Sequence, residues 1–352
     1  MARKILVSWA MPEVGREVLR KAKVEAVFIP VARGGTSSPK EFMKKLVEAD
    51  VLLPRTAHTI SRSLMTINPR LRGIANYGVG FNNIDVRSAT EFGIPVTNTP
   101  DVLTETTADL AWALLMATAR KIPQGHLFVR SGAWEKSPDK ILWGLDIGPG
   151  GSNTPKVLGI IGFGRIGRAV MRRSRGFKMK VMAYDPYLKG TIEKTRGVEY
   201  QELYNLLKQS DFVTIHTPLT QDTHHLIGKD ELDLMKSSAI LINTSRGPVV
   251  DEKALVSALK KRKIAAAGLD VFEKEPKLAP GLAKLDNVVL LPHVGSATED
   301  TRGQMAVVAA KNAVAMLKGK RPPNVVNPGV LESAEYRRRL GQGSIEGGVG
   351  GR

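Results

Sequence analysis

The stretch from Lys156 to Asp185, KVLGIIGFGRIGRAVMRRSRGFKMKVMAYD, leaves a chain few ways to fold. Val157 to Ile161 is a continuous apolar run, the pattern of a strand buried on both faces. It empties into Gly162-Phe163-Gly164-Arg165-Ile166-Gly167, and Ile166, Ala169 and Val170 then share one face of a helical pattern. Val181 to Tyr184 reads as the next strand, with Asp185 at its carboxyl end. Gly162 permits a tight turn, Gly164 lets backbone approach a pyrophosphate, and Gly167 lets the helix pack on the strand. The helix N-terminus offers unpaired N–H groups to phosphates. Asp185, eighteen residues after Gly167, is placed to accept hydrogen bonds from ribose hydroxyls. Strand, turn, helix, strand and acid in that order predict a dinucleotide site. The charge of Asp185 opposes a 2′-phosphate and favours NAD(H), and nearby Lys189 leaves room for NADP(H).

The same alternation runs through most of the chain. Strand candidates before residue 100 are Ile5–Trp9, Val24–Ile29, Val51–Leu53, Gly73–Tyr77 and Pro95–Asn98. Helical patterns at Glu13–Lys21 and Pro39–Ala49, the second with Ser38 as its cap, lie between them. This is the pattern of an open parallel sheet with helices on both faces, and 352 residues exceed one typical core and suggest two domains. A long helix, almost wholly apolar after Ala108, spans Asp101 to Arg120. Ser131 to Pro155, rich in Gly, Pro and Trp, reads as an irregular surface excursion carrying Trp134 and Trp143. A helix is expected over Glu299–Leu317, and the residues from Leu331 onward read as a mobile tail.

Polar clusters recur at the carboxyl ends of the later strands, the edge at which open α/β sheets bind ligands. They are His216-Thr217-Pro218, Asn243-Thr244-Ser245-Arg246, Asp270 with Phe272-Glu273-Lys274-Glu275, and Pro292-His293-Val294-Gly295. A nicotinamide exchanges hydride, so the protein must manage one proton and the charge of the substrate. Histidine suits the proton, arginine can grip a carboxylate bidentately, and a carboxylate beside the histidine favours imidazolium. Arg246, Glu275 and His293 supply these three types. Tyr77-Gly78-Val79-Gly80-Phe81-Asn82-Asn83 offers backbone N–H groups that suit either a carboxylate or a plain structural turn. His224 and His225 read as solvated loop residues without metal-ligand spacing, and His58 and His126 stand without a constellation. No GxSxG elbow supports a hydrolase.

The formal charge is +18, with a basic cluster at Arg165, Arg168, Arg172, Arg173, Arg175, Lys178 and Lys180. Without basic–aromatic interleaving, this reads as a solvated face on a protein with anionic ligands rather than as a nucleic-acid surface. There is no cysteine, which excludes disulfides and thiolate chemistry and fits a cytoplasmic location. No metal site is expected, and the apolar run at the N-terminus is too short for a signal peptide.

Together, GFGRIGRAV, NTSRGPVVDE, AAGLDVFEKEP and LLPHVGSAT resemble the signatures of the D-isomer-specific 2-hydroxyacid dehydrogenases, over nearly all of Lys4 to Pro328. YGVGFNNIDV, GIPVTNTPDVLTETTADLAWALLMATAR and FVRSGAWEK are most similar to its glyoxylate/hydroxypyruvate reductases. The resemblance implies an α/β protein of two Rossmann- or flavodoxin-like parallel-sheet domains. A discontinuous substrate domain, 1–100 plus 295–330, would carry an inserted NAD-binding domain, 101–294, with the cleft between them and 331–352 as the tail. It implies a homodimer formed largely through the inserted domain. Arg246 would bind the substrate carboxylate and carbonyl, His293 would be the acid/base, and Glu275 would orient it. Val79 and Gly80 would offer N–H groups to the carboxylate. Thr107, Gly162 to Gly167, Asp185, Pro186, Thr217, Pro218, Thr244, Ser245, Arg246, Asp270, His293 and Gly295 would line the cofactor. Trp143 is similar in placement to a tryptophan that reaches the neighbouring subunit's pocket. Leu53-Pro54-Arg55-Thr56 is closer to 3-phosphoglycerate dehydrogenases, in which Arg55 would face substrate, and that activity is the alternative. A further alternative is an NAD-sensing binding protein like the family's co-repressors, to which the tail and the basic charge could belong.

Overall fold

A computed structural model describes residues 3–29 and 39–341, so Ser38 and the end of the expected tail, 342–352, lie outside the described residues. Through residue 97 the elements are β1 (Lys4–Val7), α1 (Glu13–Lys21), β2 (Glu25–Phe28), α2 (Pro39–Leu46), β3 (Val51–Leu53), α3 (Arg62–Ile67), β4 (Gly73–Ala75), α4 (Val86–Glu91) and β5 (Val96–Thr97). The strands pair in parallel in the order β2-β1-β3-β4-β5. Crossovers through helices return the chain to the starting edge of the sheet, so neighbours run parallel. β1, β3, β4 and β5 are almost wholly buried because both faces are covered, and the edge strand β2 only partly so.

The next segment carries α5 (Thr104–Ala119), α6 (Ile122–Arg130) and α7 (Ala133–Lys136). It continues with β6 (Val157–Ile161), α8 (Arg165–Ser174), β7 (Lys180–Tyr184), α9 (Lys189–Glu193), β8 (Glu199–Tyr200), α10 (Leu203–Gln209) and β9 (Phe212–Ile215). It ends with α11 (Lys229–Leu234), β10 (Ile240–Asn243), α12 (Glu252–Lys260), β11 (Ala266–Leu269) and β12 (Val288–Leu290). Seven parallel strands order as β12-β11-β10-β9-β6-β7-β8. The order reverses beside β6, which makes the β6/β9 crevice the switch point of the sheet. One side of the sheet is closed by α5, whose Ala108, Ala111, Trp112, Leu114 and Leu115 are buried, and by α8. Trp112 stacks on Phe177 at 4.7 Å and donates its indole N–H to the Val170 carbonyl. The basic face of α8 is partly neutralised: Arg172 pairs with Glu105, and Arg173 with Glu105 and Asp109.

The chain closes with α13 (Glu299–Leu317), packed on α1, β3 and β4, and α14 (Ala334–Leu340). Met1–Val102 with Thr298–Arg352 form unit one, and Leu103–Ala297 form unit two. Unit two thus interrupts unit one in sequence, and both are parallel α/β folds.

Residues 331–341, the first part of the stretch that reads as a mobile tail, are structured instead. Pro328–Glu332 is a 3₁₀ turn, and Ser333 then caps α14 by accepting from the Tyr336 amide. Tyr336 is buried, and Arg339 donates to the carbonyls of Pro69, Leu71 and Phe92. Arg339, in the stretch expected to be mobile, is therefore an anchor for the last helix. A second difference is α6, which the apolar sequence with Pro123 and Gly125 does not announce. No described helix is long and apolar enough to cross a membrane.

Candidate active site

The carboxyl edge of the seven-stranded sheet gathers nearly every residue that the sequence singles out in unit two. Gly162 turns the chain at φ +90°, and a Cβ there would lie 2.7 Å from the carbonyl carbon of His216 and the amide nitrogen of Thr217. The turn therefore presses directly on the end of β9, with Thr217 and Pro218 following. A Cβ on Gly167 would come within 2.1 Å of the Gly162 carbonyl oxygen, so helix and turn touch backbone to backbone. Around Gly164, by contrast, there is open space, and this residue starts α8 without any side-chain cap. Phe163 is fully buried and pins the turn to the core beside Ile166. Asp185, just before Pro186, takes the Phe163 amide on Oδ2 (3.0 Å) and the Tyr187 amide on Oδ1 (3.1 Å).

Further along the edge, Thr244 Oγ1 is buried with no hydrogen-bond partner among the described residues. A buried hydroxyl without a partner costs about 1–3 kcal/mol, which a polar ligand would recover. Asp270 accepts the amides of Val294 and Gly295, each at 2.8 Å. Burial pushes its carboxyl pKa up, while the two amides and His293 pull it back. The Cβ position of Gly295 is 3.2 Å from Asp270 Oδ2 and 3.5 Å from Thr107 Cγ2, so α5, β11 and the turn after β12 meet here. An open glycine cradle, an uncapped helix start, an acid beside it and an orphaned hydroxyl fit a nicotinamide dinucleotide.

His293 lies in the turn after β12 at φ +55°, a left-handed conformation that costs a non-glycine residue of order 1–3 kcal/mol. Its own amide donates to the Asp270 carbonyl (2.9 Å), and with the Val294 and Gly295 amides this holds the turn. His293 Nδ1 stands 2.8 Å from Glu275 Oε2, while Glu275 Oε1 takes the Phe272 amide at 3.1 Å. Burial alone would raise the Glu275 pKa. The hydrogen bond and charge of His293, the Phe272 amide and the Arg246 charge outweigh it and hold the group below the usual glutamate value. An ionised carboxylate only accepts, so Nδ1 carries the proton and Nε2 is the ring nitrogen left for chemistry. Arg246 is half-buried and donates to the Ser245 carbonyl at 2.6 Å. Burial lowers its pKa against the pull of Glu275, yet a guanidinium remains charged.

Three features escape the sequence reading. Glu252 of α12 is buried, and its carboxylate takes the amides of Glu273 (2.7 Å) and Ala279 (3.2 Å), clasping the loop that carries Glu275. The only signal was its place in NTSRGPVVDE. His225 is not merely solvated: Nε2 lies 3.0 Å from Glu273 Oε1, and its amide donates to the Pro248 carbonyl. His216 bonds Thr214 through its ring (2.8 Å), and burial drives its pKa down to about 3, which favours a neutral ring. His224 stacks on His225, and no group of three or more metal-ligating side chains occurs among the described residues.

Within unit one, Arg55 follows β3 and bridges to Tyr77 after β4, which places it on the same edge as the Tyr77–Asn83 loop. Asn98 Nδ2 donates to the Val79 carbonyl and Asn76 Nδ2 to the Gly80 carbonyl, both at 2.8 Å. The amides of Val79 and Gly80 have no hydrogen-bond partner among the described residues. His58, read as isolated, bonds Ser8 Oγ through Nδ1 (2.9 Å), and burial followed by the Arg55 charge lowers its pKa. Trp134 and Trp143 are exposed by 50% and 75%.

Residues 112–295 match the family model for the D-isomer specific 2-hydroxyacid dehydrogenase, NAD binding domain. The chain belongs to the D-isomer-specific 2-hydroxyacid dehydrogenase family. It is 47% identical to a glyoxylate reductase of Thermococcus litoralis, covering 95% of this chain and 99% of that one. With a glyoxylate reductase of Aeropyrum pernix the identity is 48% over 82% of this chain and 86% of the relative. Among solved structures, a Thermus thermophilus protein superposes with a TM-score of 0.81 at 40% identity, over 92% of this chain and 99% of that one. An NADPH-dependent glyoxylate/hydroxypyruvate reductase of Sinorhizobium meliloti, solved with NADP and malonate, gives 0.79 at 32%, over 96% and 98%. This dehydrogenase is thus an oxidoreductase that uses a nicotinamide cofactor on a small keto or hydroxy acid, with its NAD-binding domain inserted in the catalytic one.

Proposed function

We propose that this dehydrogenase reduces a short 2-keto acid, glyoxylate or hydroxypyruvate, with NADH as the preferred cofactor. The observation that carries the chemistry is the 2.8 Å contact between His293 Nδ1 and Glu275 Oε2 on an edge that also carries Arg246. The glyoxylate reductases of similar sequence support the substrate class. When bound, the reduced nicotinamide supplies a hydride to the carbonyl carbon of the substrate. Arg246 holds the substrate carboxylate and polarises the adjacent carbonyl. His293 gives the proton on Nε2 to the carbonyl oxygen as it gains charge, and Glu275 offsets the imidazolium before transfer. The residues that would hold the cofactor are Thr107, Gly162 to Gly167, Asp185, Pro186, Thr217, Pro218, Thr244, Ser245, Asp270 and Gly295. The carboxylate of Asp185 supports NADH over NADPH, and Lys189 lies over the Tyr200 ring at 4.7 Å.

Val79 and Gly80, with their amides unengaged, would add to the grip on the carboxylate, and Arg55 would read a second anionic group if the substrate carried one. We also propose a cytoplasmic homodimer. Ile122, Leu127, Val129, Ile141 and Trp143 each expose more than half their surface, and α6 buries no residue at all, so this arm suits a second subunit. Trp143 would then stand near the partner's substrate. Assays of the purified protein with NADH and NADPH against glyoxylate, hydroxypyruvate, phosphohydroxypyruvate and pyruvate test the assignment. The highest kcat/KM is expected for NADH with glyoxylate or hydroxypyruvate. A preference for phosphohydroxypyruvate would move the assignment to 3-phosphoglycerate oxidation, and absent turnover with tight NADH binding would favour a sensor.

A further inference from the structure

Arginines collect at the other end of unit one's sheet, at residues given no part in substrate or cofactor binding above. Arg3 directly precedes β1, Asp50 precedes β3, and Arg72 precedes β4, so these residues mark the amino edge of the strands. The Tyr77–Asn83 loop follows β4 and lies at the carboxyl edge. With Pro69, Arg70 and, from α14, Arg338 and Arg339, they line a cavity of about 500 Å³. Five guanidinium groups face one carboxylate there. Asp50 is nearly buried and already engaged, taking the Lys4 amide at 2.9 Å with Arg70 at 3.5 Å and Arg72 at 3.8 Å. Arg339 donates from Nε and Nη1 to three carbonyls, and Arg338 pairs with Glu335 (2.9 Å). Nη1 of Arg72 is buried without a hydrogen-bond partner among the described residues.

Bringing so many cations to one concavity is unfavourable unless something anionic shares it. Planar guanidinium forks match phosphate oxygens bidentately. Among the described residues the lining contains no aromatic ring that could stack on a base, and Pro69 is its one apolar residue. We propose that this cavity is a binding site for a small, multiply phosphorylated anion. Four separate stretches of chain build it: the start of β1, the approach to β3, the approach to β4, and α14. Occupancy ties α14 to the sheet through charge and accounts for part of the +18 balance.

Calorimetric titration of the full-length protein, saturated with NADH so that the glycine turn is filled, tests this with tripolyphosphate as the probe. One site per chain is expected. The exposed pair Arg70→Gln/Arg338→Gln should weaken binding at least tenfold without lowering the melting temperature of the free protein. Arg72→Gln should also weaken it. A control that removes equal charge from unit two, Lys194→Gln/Lys208→Gln, should leave binding within twofold. Citrate should bind at least tenfold more weakly than tripolyphosphate. Undiminished binding in Arg70→Gln/Arg338→Gln, or equal loss in the control pair, would overturn the proposal. Citrate binding as tightly would overturn the phosphate assignment, and a single-stranded oligonucleotide displacing the probe at lower concentration would make the surface a nucleic-acid one.

Discussion

In both units the first strand of a parallel sheet runs into the start of a helix, yet the two turns are equipped for opposite purposes. After β6 the turn has Gly162 at φ +90°, open space around Gly164 and no acid in the first turn of α8. After β1 the turn is Ser8-Trp9-Ala10-Met11-Pro12, where Trp9 is buried and stacks on Tyr77 at 3.9 Å. There α1 opens on Glu13, whose charge at the helix start would repel a phosphate. Similar α/β architecture therefore gives one dinucleotide cradle and one filled turn. Chemistry on this fold depends on strand-end residues rather than on sheet topology.

The largest expected effect is chemical. Arg246→Ala should lower kcat/KM for the keto acid by about 10²–10³-fold, with NADH affinity by fluorescence titration held within about twofold. If NADH binding collapses along with turnover, Arg246 belongs to the cofactor site instead.

Next, Gly167→Ala forces a Cβ onto the Gly162 carbonyl oxygen. It should destabilise the protein by about 1–3 kcal/mol in denaturant unfolding and weaken NADH binding at least tenfold. Wild-type NADH affinity in that variant would show that the turn does not need its close helix packing.

A third test uses pH. The His216 pKa falls from 6.5 to about 3 on folding, so the unfolded chain binds the proton more readily between those values. Stability should therefore decline as pH drops below about 6.5, by at most about 1.4 kcal/mol per unit from this residue. His216→Gln should flatten that slope in urea unfolding between pH 4 and 6, and an unchanged slope would assign it to another group. Glu275, also held below its usual value, adds stability of the same sign in a more acidic window: present at neutral pH and lost as pH falls below the ordinary glutamate range.

The smallest effect contrasts the two units again. Gly303 sits within α13, and an added Cβ would meet only the Val14 Cγ2 at 3.2 Å, a side chain about half exposed and able to yield. Gly303→Ala should thus stabilise by about 0.5–1 kcal/mol, where Gly167→Ala destabilises.

Much of this molecule could be read from its sequence because its signals are local. The turn at Gly162–Gly167 and the helix Glu299–Leu317 carry their own periodicity and breakers, and every strand but β8, the short Glu199–Tyr200 pair, reads as an apolar run. What escaped was tertiary. The burial of Glu252 matters only because the 273–279 backbone returns to it, and the last helix forms because Arg339 finds carbonyls at Pro69, Leu71 and Phe92. His58 looked isolated because Ser8 lies fifty residues away. Arg246, Glu275 and His293 were each ambiguous singly, and only the shared strand-end edge suggested a common role.

The central claim is that His293, oriented by Glu275, delivers the proton that accompanies hydride transfer. Single-turnover oxidation of NADH by glyoxylate, followed from pH 5 to 9 in wild type and His293→Ala, tests it directly. The variant should be about 10²–10⁴-fold slower and lose the ionisation that governs the wild-type rate. Equal rates with the same pH profile would contradict it.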